Sequence, residues 1–182
     1  MLTRPPVCDF GWKAPDFELP STDGASVSLQ SIRGSSGTMV MFICNHCPYV
    51  VSAIDRIVRD AGQLQEIGVS TVAICANDSR TYPQDSFERM VEFARTHGFS
   101  FPYLHDDEQS VARAYGAECT PDFFGFNSDL ELQYRGRLDS AGSSLPSSTD
   151  ERELFNAMTQ VAGTGKGPED QTASMGCSIK WR

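Results

Sequence analysis

The sequence predicts a three-layer α/β domain with a mixed central sheet. Three observations predict it. The unbroken apolar run Thr38 to Cys44 reads as a strand buried on both faces. Strands and amphipathic helices then alternate, which argues for a parallel core sheet. Two later strand-like segments, joined by Asn127-Ser128-Asp129, add antiparallel strands. The 182 residues form one domain by length, with an arm over residues 1–12 and a tail over 164–182. A chain this long buries about two thirds of its unfolded surface and needs no disulfide staples.

The elements follow in order. Phe17-Glu18-Leu19 and Val27-Ser28-Leu29 flank Asp23-Gly24, the turn signal of a β-hairpin that extends the domain at its N-terminus. After the Thr38–Cys44 strand, apolar residues from Val50 to Ile67 recur at three- and four-residue steps, a long amphipathic helix ended near Gly68. Val69 to Ala76 is a second buried strand. Asp85 to His97 is a helix closed by Gly98. Tyr103-Leu104 is a short strand, and Glu108 to Tyr115 a short helix stopped by Gly116. Phe123–Phe126 and Leu130–Arg135 make the late hairpin. Asp150 to Ala162 is the last helix, capped by Thr149 or Asp150. The extended tail after it is rich in Gly, Pro and Thr.

Hydrophobic residues at 40% and charged residues at 21% are ordinary globular values. With 15 basic and 24 acidic residues the net charge is −9, which repels a phosphate backbone and argues against a nucleic-acid partner. The longest apolar run is far shorter than the ~20 residues of a membrane span, so no membrane partner is expected. The N-terminus lacks the apolar core of a secretory signal, so the expected location is cytoplasmic. There cysteines stay reduced, and a close pair is catalytic or metal-binding rather than structural.

Cys44-Asn45-His46-Cys47-Pro48 is such a pair, placed where a buried strand meets a helix. In an open α/β sheet reactive groups collect at that edge. The first helical N–H groups have no partner, and the helix dipole adds positive potential. Both favour a thiolate. The three-residue spacing brings the sulfurs to one side, so they can close into a disulfide and reopen. Pro48 suits an early helical position. His46, by hydrogen bond or charge, could acidify Cys44, or it could face solvent with no role. Against this stand two chance core cysteines, or half of a zinc site. A structural zinc site wants a second matching pair, and His97, His105, Cys119 and Cys177 show no ligand spacing, so no metal or other cofactor is expected.

These residues and the element order resemble the thioredoxin-like superfamily. More narrowly they resemble the redoxin branch near the alkyl hydroperoxide reductase/thiol-specific antioxidant group. The resemblance is carried by Ala14-Pro15-Asp16-Phe17-Glu18-Leu19, by Met41 to Val50, by Tyr115 to Phe124 and by the ending Gly176 to Trp181. It implies a thioredoxin-like fold, Cys44 as attacking thiol, Cys47 as resolving thiol and Pro121 as a cis-proline beside them. Thr120 would present its backbone to an extended substrate chain. Cys119 and Cys177 are possible additional redox thiols. Cys119 could equally be core filler. Cys177 sits in a flexible tail, which Ile179 and Trp181 could anchor in a groove. Cys75 reads as core.

The peroxiredoxin pattern P-x-x-x-[ST]-x-x-C is absent: counted back from Cys47, Val40 and Cys44 stand where Pro and Thr belong. The expected function is therefore thiol-disulfide exchange. It takes a protein or small-molecule disulfide as substrate and an external thiol as electron donor. A thiol peroxidase of antioxidant type is the alternative. A non-enzymatic redox-sensing or metal-binding module is the second.

Overall fold

The computed structural model describes all residues but Val7, a position in the predicted arm. Its elements are β1 (Leu2–Thr3), β2 (Glu18–Pro20), β3 (Ser26–Ser28), α1 (Leu29–Ile32), β4 (Gly37–Phe42), α2 (Pro48–Val51), α3 (Ile54–Glu66) and β5 (Val69–Cys75). After a 3-10 turn at Pro83–Asp85 come α4 (Phe87–Thr96), β6 (Tyr103–His105), α5 (Ser110–Tyr115), β7 (Cys119–Thr120), β8 (Asp122–Phe126), β9 (Leu132–Tyr134), α6 (Glu153–Thr164) and β10 (Gly176–Ser178).

The central sheet has the order β6-β5-β4-β8-β9. β4, β5 and β6 run parallel, and β8 and β9 add antiparallel strands. β4 lies in the middle, and its six residues are all buried because both faces are covered. Alternate side chains feed two cores. Met39, Met41 and Ile43 pack with α3, α4 and α6 through Ile57, Leu64, Met90 and Met158. Val40 and Phe42 face the other way, with Leu29 of α1 and Tyr115 of α5. Tyr115 meets Phe42 and Phe124 with ring centroids 5.6 Å from each. The fold is three-layered and mixed, as the sequence predicts. Among the described residues no helix is long and apolar enough to cross a membrane.

Several boundaries depart from expectation; α5 starts at Ser110 rather than Glu108 because Gln109 turns to φ +61°. The long helix is broken at Ser52-Ala53, where the Ala53 N–H tightens onto Val50 O and α3 starts afresh. α3 does end near Gly68, closing at Glu66 two residues before it, and the Gly68 φ of +84° would strain any other residue. α4 starts at Phe87 rather than Asp85, because Ser86 is the cap, accepting from the Arg89 N–H. α6 starts at Glu153: the Asp150 carboxylate is occupied by the Ser147 N–H and Ser140 hydroxyl, and no side chain caps the helix. β9 loses its first two residues because Leu130 turns to φ +58° and a bulge sits between Gly125 and Phe126.

The largest departure concerns the chain ends. The loose arm and flexible tail are paired strands. β10 lies between β1 and β7 in a second sheet, antiparallel to both. Leu2 pairs with Cys177, and Cys177 with Thr120. The predicted hairpin is β2–β3, with the Ala25 N–H held by the Asp23 carboxylate.

Candidate active site

β4 delivers Cys44 to the C-terminal edge of the sheet, and the chain then turns through Asn45 and His46 into α2. Cys47 is the N-cap of α2 and Pro48 its first residue. The Val50 and Val51 N–H groups bond to Cys47 O. Both sulfurs face β7. Cys47 Sγ lies 3.1 Å from Thr120 O, and Cys44 Sγ lies 3.5 Å from the Thr120 hydroxyl. The Thr120–Pro121 bond is cis. Both cysteines are buried, at 1% exposure for Cys44 and 0% for Cys47.

β10 brings a third sulfur. Cys177 packs against the cluster that holds Cys44 and Cys47, opposite Thr120, close enough to Cys47 that each shifts the other's ionisation. The backbone edge of Thr120 that the resemblance reserves for a substrate chain is thus filled by the protein's own C-terminus. Ile179 is buried, and Trp181 lies under the Arg113 guanidinium, 4.5 Å from its ring centroid, so the tail is anchored as expected. Cys119 is close to the site but bonds to Pro121 O at 3.4 Å.

The sequence reading missed Asp85. It is fully buried at the start of the loop-to-helix turn. Its carboxylate accepts from the Asn45 N–H and from Asn77 Nδ2, each at 2.8 Å, and lies 2.7 Å from His46 Nδ1. The His46 ring thus contacts Asp85 directly and stacks on Tyr82 with centroids 5.9 Å apart. The available signal was position: Asp85 follows a loop at the C-terminal end of β5, the same edge as Cys44. The sulfur of Cys44, His46 Nδ1 and an Asp85 oxygen all lie within 4.8 Å of one another, a grouping that can hold a metal ion. Two tetrahedral zinc ligands at ~2.0–2.1 Å from the ion would stand ~3.3 Å apart. At 2.7 Å the His46–Asp85 contact is shorter than that, a direct contact between the two side chains.

The electrostatics separate the cysteines. Cys47 is pulled down to about 4, first by the hydrogen bond from Cys44, against burial, with help from Thr120 and the Cys177 and Val50 backbones. Cys44 is pushed far up by that same hydrogen bond, by burial and by the Asp85 charge. The Cys47 contact to Thr120 O suits a thiol, so the acidity belongs to the pair, which shares one proton with the charge weighted toward Cys47. The sequence reading expected His46 to promote a thiolate on Cys44; here the downward shift falls on Cys47, the helix-capping sulfur, within a pair that shares the proton. Burial pushes Cys75 up to about 12 and Cys8 to about 11, and raises Cys119 as well.

A cleft of about 170 Å³ opens beside Pro121, between Tyr49, Phe123, Leu138 and Met175.

The AhpC/TSA family model matches residues 10–136. The thiol-disulfide oxidoreductase ResA of Halalkalibacterium halodurans is 28% identical over 122 residues, 67% of this chain and 65% of that protein's length. A Mycobacterium tuberculosis protein provisionally named a peroxiredoxin is 28% identical over 115 residues, 63% of this chain and 68% of its own. The crystal structure of an uncharacterized conserved protein from Geobacillus kaustophilus superposes with a TM-score of 0.94 at 40% identity, covering 100% of this chain and 97% of that one. Thioredoxin-family structures at under 25% identity share the fold. This chain belongs to the AhpC/TSA family, on a thioredoxin-like fold.

Proposed function

We propose that the protein is a thiol-disulfide oxidoreductase whose redox couple is Cys44 and Cys47. The observation that carries this reading is the pair itself: two sulfurs at one strand-to-helix junction, sharing a proton, with thiolate character on the cap. The Cys47 thiolate attacks a substrate disulfide, forming a Cys47–substrate bond as the substrate S–S bond breaks. The leaving thiolate takes up a proton. Cys44 then attacks Cys47, and its proton passes to the departing substrate sulfur. The Cys44–Cys47 disulfide forms and the second substrate thiol leaves, so the substrate gains the two electrons that the pair loses. An external thiol reduces the pair again. Substrates are protein or small-molecule disulfides, and the proposed setting is the cytoplasm.

This order reverses the roles that the resemblance implies, and what supports it is the placement of the charge. Mixed-disulfide trapping tests it. Made in a Cys177→Ser background, where no neighbouring thiol can displace the adduct, Cys44→Ser should hold an adduct on Cys47 that Cys47→Ser does not form on Cys44. An adduct found only on Cys44 restores the other order, and none in either variant removes the exchange function.

The relative named as a peroxiredoxin favours a second reading, thiol peroxidase. Arg135, which follows β9, is tied to Asp122 at 3.1 Å and to Gly116 O at 2.8 Å, and so is not free to polarise a peroxide. Stopped-flow mixing with hydrogen peroxide at a rate no faster than a free cysteine's would dismiss the peroxidase.

A further inference from the structure

We propose that Cys177 is a third redox residue and that β10 is a tethered substrate. On this proposal Cys177 takes the disulfide from the buried pair and carries it to the surface. The inference rests on the Cys44–Cys47 couple and goes beyond it.

The docking of β10 is built into its sequence. A Cβ at Gly176 would fall 2.1 Å from Thr120 O, so only glycine lets the strand come this close. The buried Ser174 hydroxyl donates to Pro121 O at 2.7 Å. The Ile179 N–H bonds to Glu118 O at 3.1 Å. Lys180 O accepts from the Asp78 N–H and from Gln109 Nε2. These contacts hold Cys177 opposite Thr120, and its sulfur against Cys47.

Exposure then decides what each sulfur can meet. Cys44 and Cys47 are sealed while β10 is in place, and Cys177 is half-buried. An external thiol can reach Cys177 before it can reach the pair.

The chemistry balances without an added oxidant. Starting from the Cys44–Cys47 disulfide, Cys177 loses its proton and attacks Cys47. The Cys47–Cys177 bond forms, the Cys44–Cys47 bond breaks, and Cys44 takes up the proton. An external thiol then attacks Cys177, forming a mixed disulfide there and freeing the Cys47 thiolate. A second external thiol attacks that mixed disulfide, leaving as the oxidised disulfide and returning Cys177 to its thiol. In the reduced protein Cys177 is raised by burial and then by its contact with Cys47 and that sulfur's charge. Once Cys47 is in a disulfide that charge is gone, so Cys177 is freed to attack when there is a disulfide to receive.

Non-reducing tryptic mapping tests the relay. Cys44 and Cys47 fall in the peptide 34–56, Cys177 in 167–180 and Cys119 in 114–135. Cys44→Ser oxidised with glutathione disulfide should give 34–56 joined to 167–180 as its main product. Cys44→Ala serves if the serine variant misfolds. Glutathione retained on Cys47, or a link to 114–135, overturns the relay. Oxidised wild type is mapped alongside. Loss of two hydrogens within 34–56 with no link in the variant removes the relay alone, and no disulfide within 34–56 removes the underlying couple. In turnover, Cys177→Ser should pass its disulfide to dithiothreitol at least about tenfold more slowly than wild type. An unchanged rate overturns the role.

Discussion

A thiol keeps or loses its proton according to its neighbours, and Cys47 and Cys75 show the two extremes in one chain. Cys75 is enclosed by apolar groups and near the Asp85 charge, so its proton stays on. Cys47 is as deeply enclosed, but Cys44, the Thr120 side chain and the Cys177 and Val50 backbones pull it down. The sign gives a test. A thiol lowered to about 4 is deprotonated at every higher pH. Alkylation of Cys47 by iodoacetamide should therefore stay flat from about pH 8 to about pH 5, where an ordinary thiol slows about tenfold per unit. Peptide-resolved alkylation reads it, and a tenfold-per-unit decline at Cys47 places the charge elsewhere. Asp85 is the second residue with a measurable role. Its charge raises Cys44, and it anchors the Asn45 N–H. Asp85→Asn should ease the ionisation of Cys44, seen as faster closure of the Cys44–Cys47 disulfide. It should also cost about 1–3 kcal/mol of stability, since a buried network loses its charged acceptor. A closure rate that does not rise dismisses the charge effect.

β10 is the element on which access depends, and Gly176 is the position through which it can be moved without touching a cysteine. Gly176→Ala places a methyl where Thr120 O already is, so β10 must shift off β7. Cys47 alkylation should then rise at least about tenfold, with faster amide exchange at Cys177 and Ser178. An unchanged rate means that β10 does not limit access. The elements carried by local pattern were legible in the sequence. Thr38–Cys44 announced β4 by its unbroken apolar run, Asp23-Gly24 announced the hairpin, and the Cys44–Pro48 junction announced the pair. β10 was not legible, because Gly176-Cys177-Ser178 has no alternation and becomes a strand only through distant partners in β1 and β7. Asp85 was hidden for the same reason: its burial arises when Asn45, His46 and Asn77 converge on it from two other segments. The helix break at Ser52-Ala53 left the apolar period intact and so left no mark on it.

Across the whole molecule the two cores share one sheet, and buried ion pairs tie the sheet to the loops that carry the sulfurs. The pair nearest the site joins Asp122, the residue after Pro121, to Arg135 beyond β9. Asp122 also accepts from the Glu118 N–H at 3.1 Å, and Arg135 lies over the Phe124 ring, 4.4 Å from its centroid. The two residues thus fix the β7–β8 junction from which Thr120 faces both cysteines. Removing one member of a buried pair strands the other, at a cost of about 3–5 kcal/mol. Arg135→Ala should lower the unfolding free energy by that amount, seen as a lower urea midpoint with an unchanged slope. The pH dependence follows from Asp122, whose carboxyl burial already raises, with Arg135 opposing the rise. Without Arg135 it rises further. A carboxyl raised in the fold favours folding at low pH, and that benefit is lost as pH climbs from its unfolded value through its folded one. The Arg135→Ala penalty should therefore be smaller at about pH 5 than at about pH 8. A penalty that is the same at both, or below about 1 kcal/mol, would mean that the guanidinium packs on Phe124 without holding the junction's charge.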